Sequence, residues 1–383
     1  MIILFWLLFL IILYCYFGYP LLIYIVAKLH PRKVHKKKFR PAVSIVLSVW
    51  NEEEVIEKKI HNLLSLDYPK EKMEILIGSD GSTDRTNAII KSFFDPRVIF
   101  IQSGKRQGKM LTINELVKKA KHEVIVFTDA RQAFATDAIK ELVDNFADPS
   151  IGSTSGELIF APKEGGTAKG LNLYWEYEKF LRSQESKVHS MLGATGAIYA
   201  IRRELFVPVP ANVVLDDMYI PFKIIEKGYR AIFDEQAKAY DEVADSPQQE
   251  HQRKARTLYG NYQIFGRFPG MFNILKSPIA IQLFSHKFLR VMAPFLMIAL
   301  WIVNALLLDR PFFKIIFILQ IIFYCLAVLG ALARQAKYGI LKLILKICYI
   351  PYVFCLLNFS ALIGFLRFVM AKQSITWQKA RDH

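Results

Sequence analysis

Carboxylates recur at three places along the middle of the chain: Asp80 in Asp80-Gly81-Ser82-Thr83-Asp84, Asp129 in Phe127-Thr128-Asp129-Ala130-Arg131, and the adjacent pair Asp216-Asp217. An ionised carboxylate only accepts hydrogen bonds, so it can read an N–H edge of a ligand. It can also hold a hard divalent cation or take a proton from a hydroxyl in a displacement. Two neighbouring carboxylates raise each other's pKa, which makes one of them the better base. Positive charge comes from Lys109, after Gly104-Lys105-Arg106-Gln107-Gly108, and from Arg253 and Arg256 in Gln252-Arg253-Lys254-Ala255-Arg256-Thr257. The two arginines are three apart and share a helical face, where they can clamp a diphosphate bidentately.

The elements that must position these groups alternate. Ala42–Trp50 is a β-branched run followed by Asn51 and Glu52–Glu54, then a helical pattern to about Leu66; Met73–Gly78, Arg97–Gln102 and Glu123–Phe127 read as further strands, with a helix over Met110–Lys121. Strands alternating with helices imply an α/β domain with a mostly parallel sheet. Ligands of such sheets sit beyond the carboxyl ends of the strands, and Asn51, Asp80 and Asp129 all fall there. Farther on, Gly152–Phe160 and Gly196–Ile201 read as strands, Leu171–Ser186 and Asp216–Lys227 as helices, and Gln248–Phe265 as a basic amphipathic helix suited to an interface. Several motifs also have plain readings: Asp80-Gly81 as a turn, Asp84 and Asp216 as helix caps, the 104–109 run as a solvated basic loop, and the 252–257 face as a contact for anionic lipid.

The 383 residues are 53% hydrophobic with a formal net charge of +16. The apolar excess is uneven: Met1–Ala27, Val291–Leu308, Ile315–Ala333 and Ile347–Leu366 carry no charge, and each approaches the roughly 20 residues that cross a bilayer. The first run lacks a basic n-region and a small-residue cleavage site, so it reads as a retained anchor. Arg32, Lys33, Lys36, Lys37, Lys38 and Arg40 follow it and should hold that side cytoplasmic. Three later spans would place the tail outside, whereas Arg367, Lys372, Lys379 and Arg381 favour the inside; a broken segment near Lys346 and Pro351 would reconcile them. No nucleic-acid partner is expected, because the basic run lacks interleaved aromatics. The four cysteines lie within or beside apolar runs with no Cys-x-x-Cys pair, indicating neither disulfides nor a zinc finger. The expected organisation is an anchor over 1–28, a soluble domain over 41–246, interfacial helices over 247–287, transmembrane helices over 288–370 and a tail over 371–383.

On these motifs, residues from about Val43 to Tyr262 resemble a family 2 glycosyltransferase of the membrane-integrated polysaccharide synthase type, the kind that includes cellulose, hyaluronan and poly-N-acetylglucosamine synthases. The resemblance implies a GT-A (Rossmann-like) fold with one N-terminal and about three C-terminal transmembrane helices. It also implies a nucleoside-diphosphate sugar donor (usually UDP), Mg²⁺ or Mn²⁺, and inversion at the anomeric carbon. Carried over position by position, Asn51 and Glu52 lie beside the nucleoside, Asp80 reads the base, Lys109 faces the diphosphate, and Asp129 opens the family's Asp-x-Asp motif and holds the metal. Arg131 replaces the second acid of that motif and is expected to contact phosphate or to pair with Asp137. Asp217 takes the catalytic position as general base, with Asp216 and Gly196 on the acceptor side. Arg253 and Arg256 match the family's Gln/Arg-x-x-Arg-Trp segment and join the donor site, but Thr257 stands where the sugar-stacking Trp belongs, leaving Tyr259 or Tyr262 to supply a ring. The implied partners are the nucleotide sugar, a polysaccharide or lipid-linked acceptor, membrane lipids and an export subunit; a single-sugar transferase to a lipid carrier and a non-catalytic export subunit are the alternatives. The implied location is the cell membrane, multi-pass, with the catalytic domain cytoplasmic.

Overall fold

The computed structural model describes residues 1–160, 166–241, 247–333 and 340–370, with side chains in all of these except 166–173, 247–251, 253, 333 and 340–347. The chain opens with α1 (Ile2–Leu13), a π-helical turn (Tyr14–Gly18) and α2 (Tyr19–Leu29) as one apolar rod. The α/β domain follows: β1 (Val43–Val49), α3 (Ile56–Leu64), β2 (Met73–Ser79), α4 (Thr86–Lys91), β3 (Val98–Gln102), α5 (Lys109–Lys119), β4 (Val124–Thr128), β5 (Ala133–Phe134), α6 (Ala138–Asp144), β6 (Ile151–Phe160), α7 (Gly166–Val188), β7 (Ile198–Arg202), α8 (Asp216–Glu226) and β8 (Arg230–Asp241). The amphipathic α9 (Pro247–Arg267) leads to α10 (Ala280–Gln282), which continues through a second π-helical turn (Leu283–Phe288) into α11 (Leu289–Ala305), and then to α12 (Pro311–Ala333) and α13 (Ile340–Val369).

One eight-stranded sheet runs β3-β2-β1-β4-β7-β6-β8-β5. The first four strands are parallel, as the alternating pattern predicts, with Val43 opposite both Met73 and Val124. Beyond β4 the direction changes: β7 is antiparallel to β4, β6 antiparallel to β7, and β8 parallel to β6. The sheet is therefore mixed, with four of its seven strand pairings parallel. Successive residues of the central strands face opposite sides, as the period of two requires. Val46, Leu76, Ile125 and Phe127 enter one core with α5 and α8. Ile45, Leu47, Ile75, Ile77 and Val126 enter a second core with α3 and α6. The long β8 was not legible as a strand, because Asp234, Glu235, Gln236 and Lys238 interrupt its apolar alternation.

Four helices are long and apolar enough to cross a membrane: Ile2–Leu29, Ala280–Ala305, Pro311–Leu332 and Cys348–Val369. They overlap the four charge-free runs. The α13 helix packs along α9, where a Cβ on Gly364 would lie 3.0 Å from both Leu258 and Tyr259.

Candidate active site

The carboxyl ends of β1, β2 and β4 lie side by side, since Val49 pairs with Ser79 and Leu47 with Thr128. Asp80 and Asp129, which follow β2 and β4, border one small crevice with Trp50 and Lys109; Asn51, after β1, is not among its lining residues. Asn51 is left-handed at φ 52°, a conformation Asn tolerates better than most residues. Its side-chain oxygen accepts the Thr83 N–H at 2.8 Å and its own N–H reaches Ser82 Oγ at 3.0 Å, tying the β1 and β2 ends together. Asp84 accepts the Thr86 N–H at 3.0 Å and the Glu53 N–H at 3.3 Å, and the N-cap position of α4 falls on Arg85 instead.

Asp80 is almost fully buried, and its carboxylate accepts backbone N–H groups from Gln107 at 2.6 Å and Gly108 at 2.9 Å. It therefore anchors the 103–108 loop, besides standing at the position matched to the base reader. Gly81 makes that closeness possible: its φ is +68°, and a Cβ there would stand 2.6 Å from Arg106 N and 2.8 Å from Lys105 C. The Arg106 guanidinium in turn covers the Trp50 ring at 3.5 Å. Neither Trp50 nor Arg106 was singled out in the sequence, where each looks like an ordinary loop residue.

Lys109 opens α5 and points back under the sheet edge. Its Nζ lies 3.0 Å from Asp129 and 3.6 Å from Asp216. Burial opposes its charge, but Asp129, Asp216 and Asp217 outweigh that and hold the ammonium above its ordinary pKa. Asp217, in the first turn of α8, is pushed up to about 7 by burial first and by the Asp216 charge next, against the pull of Lys109 and Arg182. The Ala194 N–H donates to the Asp217 backbone oxygen at 2.7 Å, and a Cβ on Gly196 would stand 3.2 Å from Asp217 Oδ2. The Tyr199 hydroxyl donates to Asp216 at 3.4 Å. Arg256 of α9 has its pKa lowered by burial, partly restored by Asp216, Asp217 and Asp129, so its guanidinium faces the same acids.

A cavity of about 1040 Å³ joins these groups, lined by Lys109, Asp129, Gly196, Asp216, Asp217 and Arg256 among others. Glu52 lies apart from it, buried in an ion pair with Arg131 at 3.5 Å. That pair replaces the expected contact of Arg131 with Asp137. The Arg253 side chain falls outside the described residues. Tyr262 is no open platform: its ring packs on Phe365 and Phe368, and its hydroxyl donates to Val291 O at 3.1 Å. Tyr259 likewise packs on Phe368. Tyr174 and Trp175 are among the rings that line the cavity, with the Lys254 ammonium 4.3 and 4.6 Å from their centroids.

A divalent cation is implied by the resemblance, and the donor set can be weighed against it. Among the described residues no group of three or more His, Cys, Asp or Glu side chains is placed to hold a metal ion by itself. Mg²⁺ sites at phosphoryl substrates commonly use one or two carboxylates, with phosphate oxygens and water completing the shell. Asp129, about one-third exposed at the cavity wall, fits that pattern as a single protein ligand.

Residues 44–207 match the family model Glycosyl transferase family 2. The chain is 24% identical over 255 residues to poly-beta-1,6-N-acetyl-D-glucosamine synthase of Staphylococcus aureus, a match covering 64% of this chain and 60% of that one. It thus spans about 60% of the length of that curated relative. Beta-monoglucosyldiacylglycerol synthase of Synechocystis sp. is 32% identical over 152 residues, covering 37% of this chain and 32% of the relative. Among solved structures, the mannosyltransferase PcManGT from Pyrobaculum calidifontis, in complex with GDP-Man and Mn²⁺, superposes with a TM-score of 0.70 at 22% identity, covering 97% of this chain and 100% of that one. The fold is GT-A.

Proposed function

We propose that this chain, which carries a glycosyl transferase family 2 domain, transfers a sugar with inversion from a nucleoside-diphosphate donor, UDP in the first instance, to a hydroxyl of a growing polysaccharide or glycolipid at the cytoplasmic membrane face. The observation that carries this reading is one cavity that gathers Lys109, Asp129, Asp216–Asp217 and Arg256 from four distant stretches of chain. In this reading the nucleoside lies on the Asp80 side of the site and the diphosphate faces Lys109 and Arg256, while Glu52 acts only through its ion pair with Arg131. A pKa near 7 suits Asp217 as the base that takes the acceptor proton while the acceptor oxygen attacks the anomeric carbon. Gly196 leaves room beside that carboxylate for the acceptor. When bound, Mg²⁺ or Mn²⁺ on Asp129 would neutralise charge on the leaving diphosphate. A role as a non-catalytic export subunit is disfavoured, because the base and its cationic partners are all assembled.

The experiment is nucleotide release by the purified full-length protein in a bilayer, with UDP-glucose, UDP-N-acetylglucosamine and GDP-mannose as donors. Asp217→Asn should lose acceptor-dependent release by a factor of roughly 10² or more, typical of a removed general base. Equal turnover in Asp217→Asn and the parent would overturn the assignment.

A further inference from the structure

The cavity that holds the acids does not end at the α/β domain. It continues between the apolar helices, where its wall is built by Phe9, Ile12 and Leu13 of α1 and by Val353, Leu357 and Ala361 of α13. We infer that this apolar continuation is the seat of one hydrocarbon chain of a membrane lipid whose head group, bearing the acceptor hydroxyl, stands at Asp217. The inference rests on the transferase reading above and narrows its acceptor to a lipid.

Three observations carry it. First, the wall between the helices is mostly apolar, and the charged groups that also line the cavity are engaged with one another, Glu178 meeting His286, Lys287 and Arg290; the Tyr16 hydroxyl donates to Asn358 Oδ1 at 3.0 Å, and Asn358 Nδ2 donates to Phe354 O at 2.9 Å. A saccharide chain would bring hydroxyls that this wall leaves unpaired, and each unpaired hydroxyl costs on the order of 1–3 kcal/mol. A hydrocarbon chain loses nothing there. Second, the passage does not cross. On the first helix it spans Phe9 to Phe17, roughly 12 Å at about 1.5 Å per residue, against a hydrocarbon core of roughly 30 Å. Beyond Phe9 the way is filled, because Phe5 and Leu8 are buried against Leu300, Val303, Leu307 and Phe313, with the Phe5 and Phe313 rings edge to face at 5.0 Å. Third, the cavity has a side facing lipid, since Leu13 and Phe17 line it and yet are 42% and 70% exposed.

The two π-helical turns lie beside this cavity and are joined, Tyr14 Oη to Ser285 Oγ at 2.8 Å. Each inserts an extra residue into its helix, a device common at functional sites, and here it offsets the two helices where the cavity passes between them. A groove that is mostly apolar, roughly 12 Å deep, open at the side and closed at the far end accepts a lipid tail from the membrane and returns it there.

The test uses the full-length protein in nanodiscs containing a trace of diacylglycerol with a photoactivatable diazirine on one acyl chain. After irradiation, adducts should concentrate within 9–17 and 353–361. Leu13→Trp, which fills the groove, should cut that labelling about tenfold, while Leu10→Trp, exposed on the same helix but outside the cavity, should not. Equal labelling of the parent and Leu13→Trp overturns the inference. In parallel, protein supplied with radiolabelled UDP-glucose, UDP-N-acetylglucosamine or GDP-mannose should place the label in a chloroform–methanol-soluble product carrying a single sugar. A water-soluble polymer would overturn the lipid acceptor and leave the transferase reading standing. Neither product, together with nucleotide release unchanged in Asp217→Asn, would count against the transferase reading itself, and the photolabelling would then decide the groove by itself.

Discussion

The ammonium of Lys109 stands 3.0 Å from the carboxylate of Asp129 and reaches Asp216 at 3.6 Å, so one cation lies between Asp129 and the Asp216–Asp217 pair. This placement keeps the acidic cavity from repelling itself apart before a donor arrives. It also lowers the proton affinity of Asp217. Lys109→Met should therefore weaken nucleotide-sugar binding by roughly 10- to 100-fold, the loss of one charge-assisted contact at roughly 1.5–3 kcal/mol. It should also move the acid limb of the kcat profile to higher pH. Isothermal titration with UDP and a pH–rate series would check both.

The pH dependence has a definite sign. The pKa of Asp217 is raised to about 7 by burial and by Asp216, so the base is ionised only above that value and kcat should fall as pH drops through 7. The same shift acts on stability. A carboxyl that holds its proton more tightly when folded makes the native state bind more protons than the unfolded chain between roughly pH 4 and 7, so stability declines as pH rises across that window. Asp217→Asn removes the penalty, and its melting temperature at pH 8 should exceed the parent's. A lower value, with the fold intact by circular dichroism, would contradict the burial argument.

Gly81 is needed for its backbone. Gly81→Ala would combine φ +68° with a Cβ 2.6 Å from Arg106 N, and should cost on the order of 1–3 kcal/mol. Because the displaced segment is the loop held by Asp80, UDP affinity should fall with stability. Asp80→Ala should loosen the same loop, exposing 103–108 to faster amide exchange.

Gly196→Ala probes the acceptor side alone. Its Cβ would press to 3.2 Å from Asp217 Oδ2, displacing the base by a few tenths of an ångström. Misplacement on this scale should lower kcat by about tenfold, with the KM for donor little changed. A pure donor-KM effect would argue against Gly196 lying beside the acceptor.

Metal removal should separate Asp129 from its neighbours. EDTA should abolish nucleotide release, with Mg²⁺ or Mn²⁺ restoring it in the parent and not in Asp129→Asn. Full activity in EDTA would show that Lys109 and Arg256 neutralise the diphosphate unaided.

Much of this was written in local pattern. β-branched runs ending in polar residues located β1, β2 and β4, because a central strand buried on both faces must be apolar and its ligand-facing end need not be. Charge-free runs of membrane length located the apolar helices by the same solvation logic. What local pattern does not contain is who meets whom across the chain. Arg131 turns to Glu52, Tyr262 is consumed by Phe365 and Phe368, and Trp175 lines the cavity with Lys254 over its ring. Those outcomes depend on packing between elements far apart in sequence. The sequence by itself determined which residues carry charge at strand ends and which stretches avoid water, since both follow from the solvation of single side chains. Only the tertiary structure decided that Lys109, Asp129 and Asp217 share a cavity and that this cavity runs on among apolar helices, because a cavity is a property of surfaces brought together and no one segment of chain possesses it.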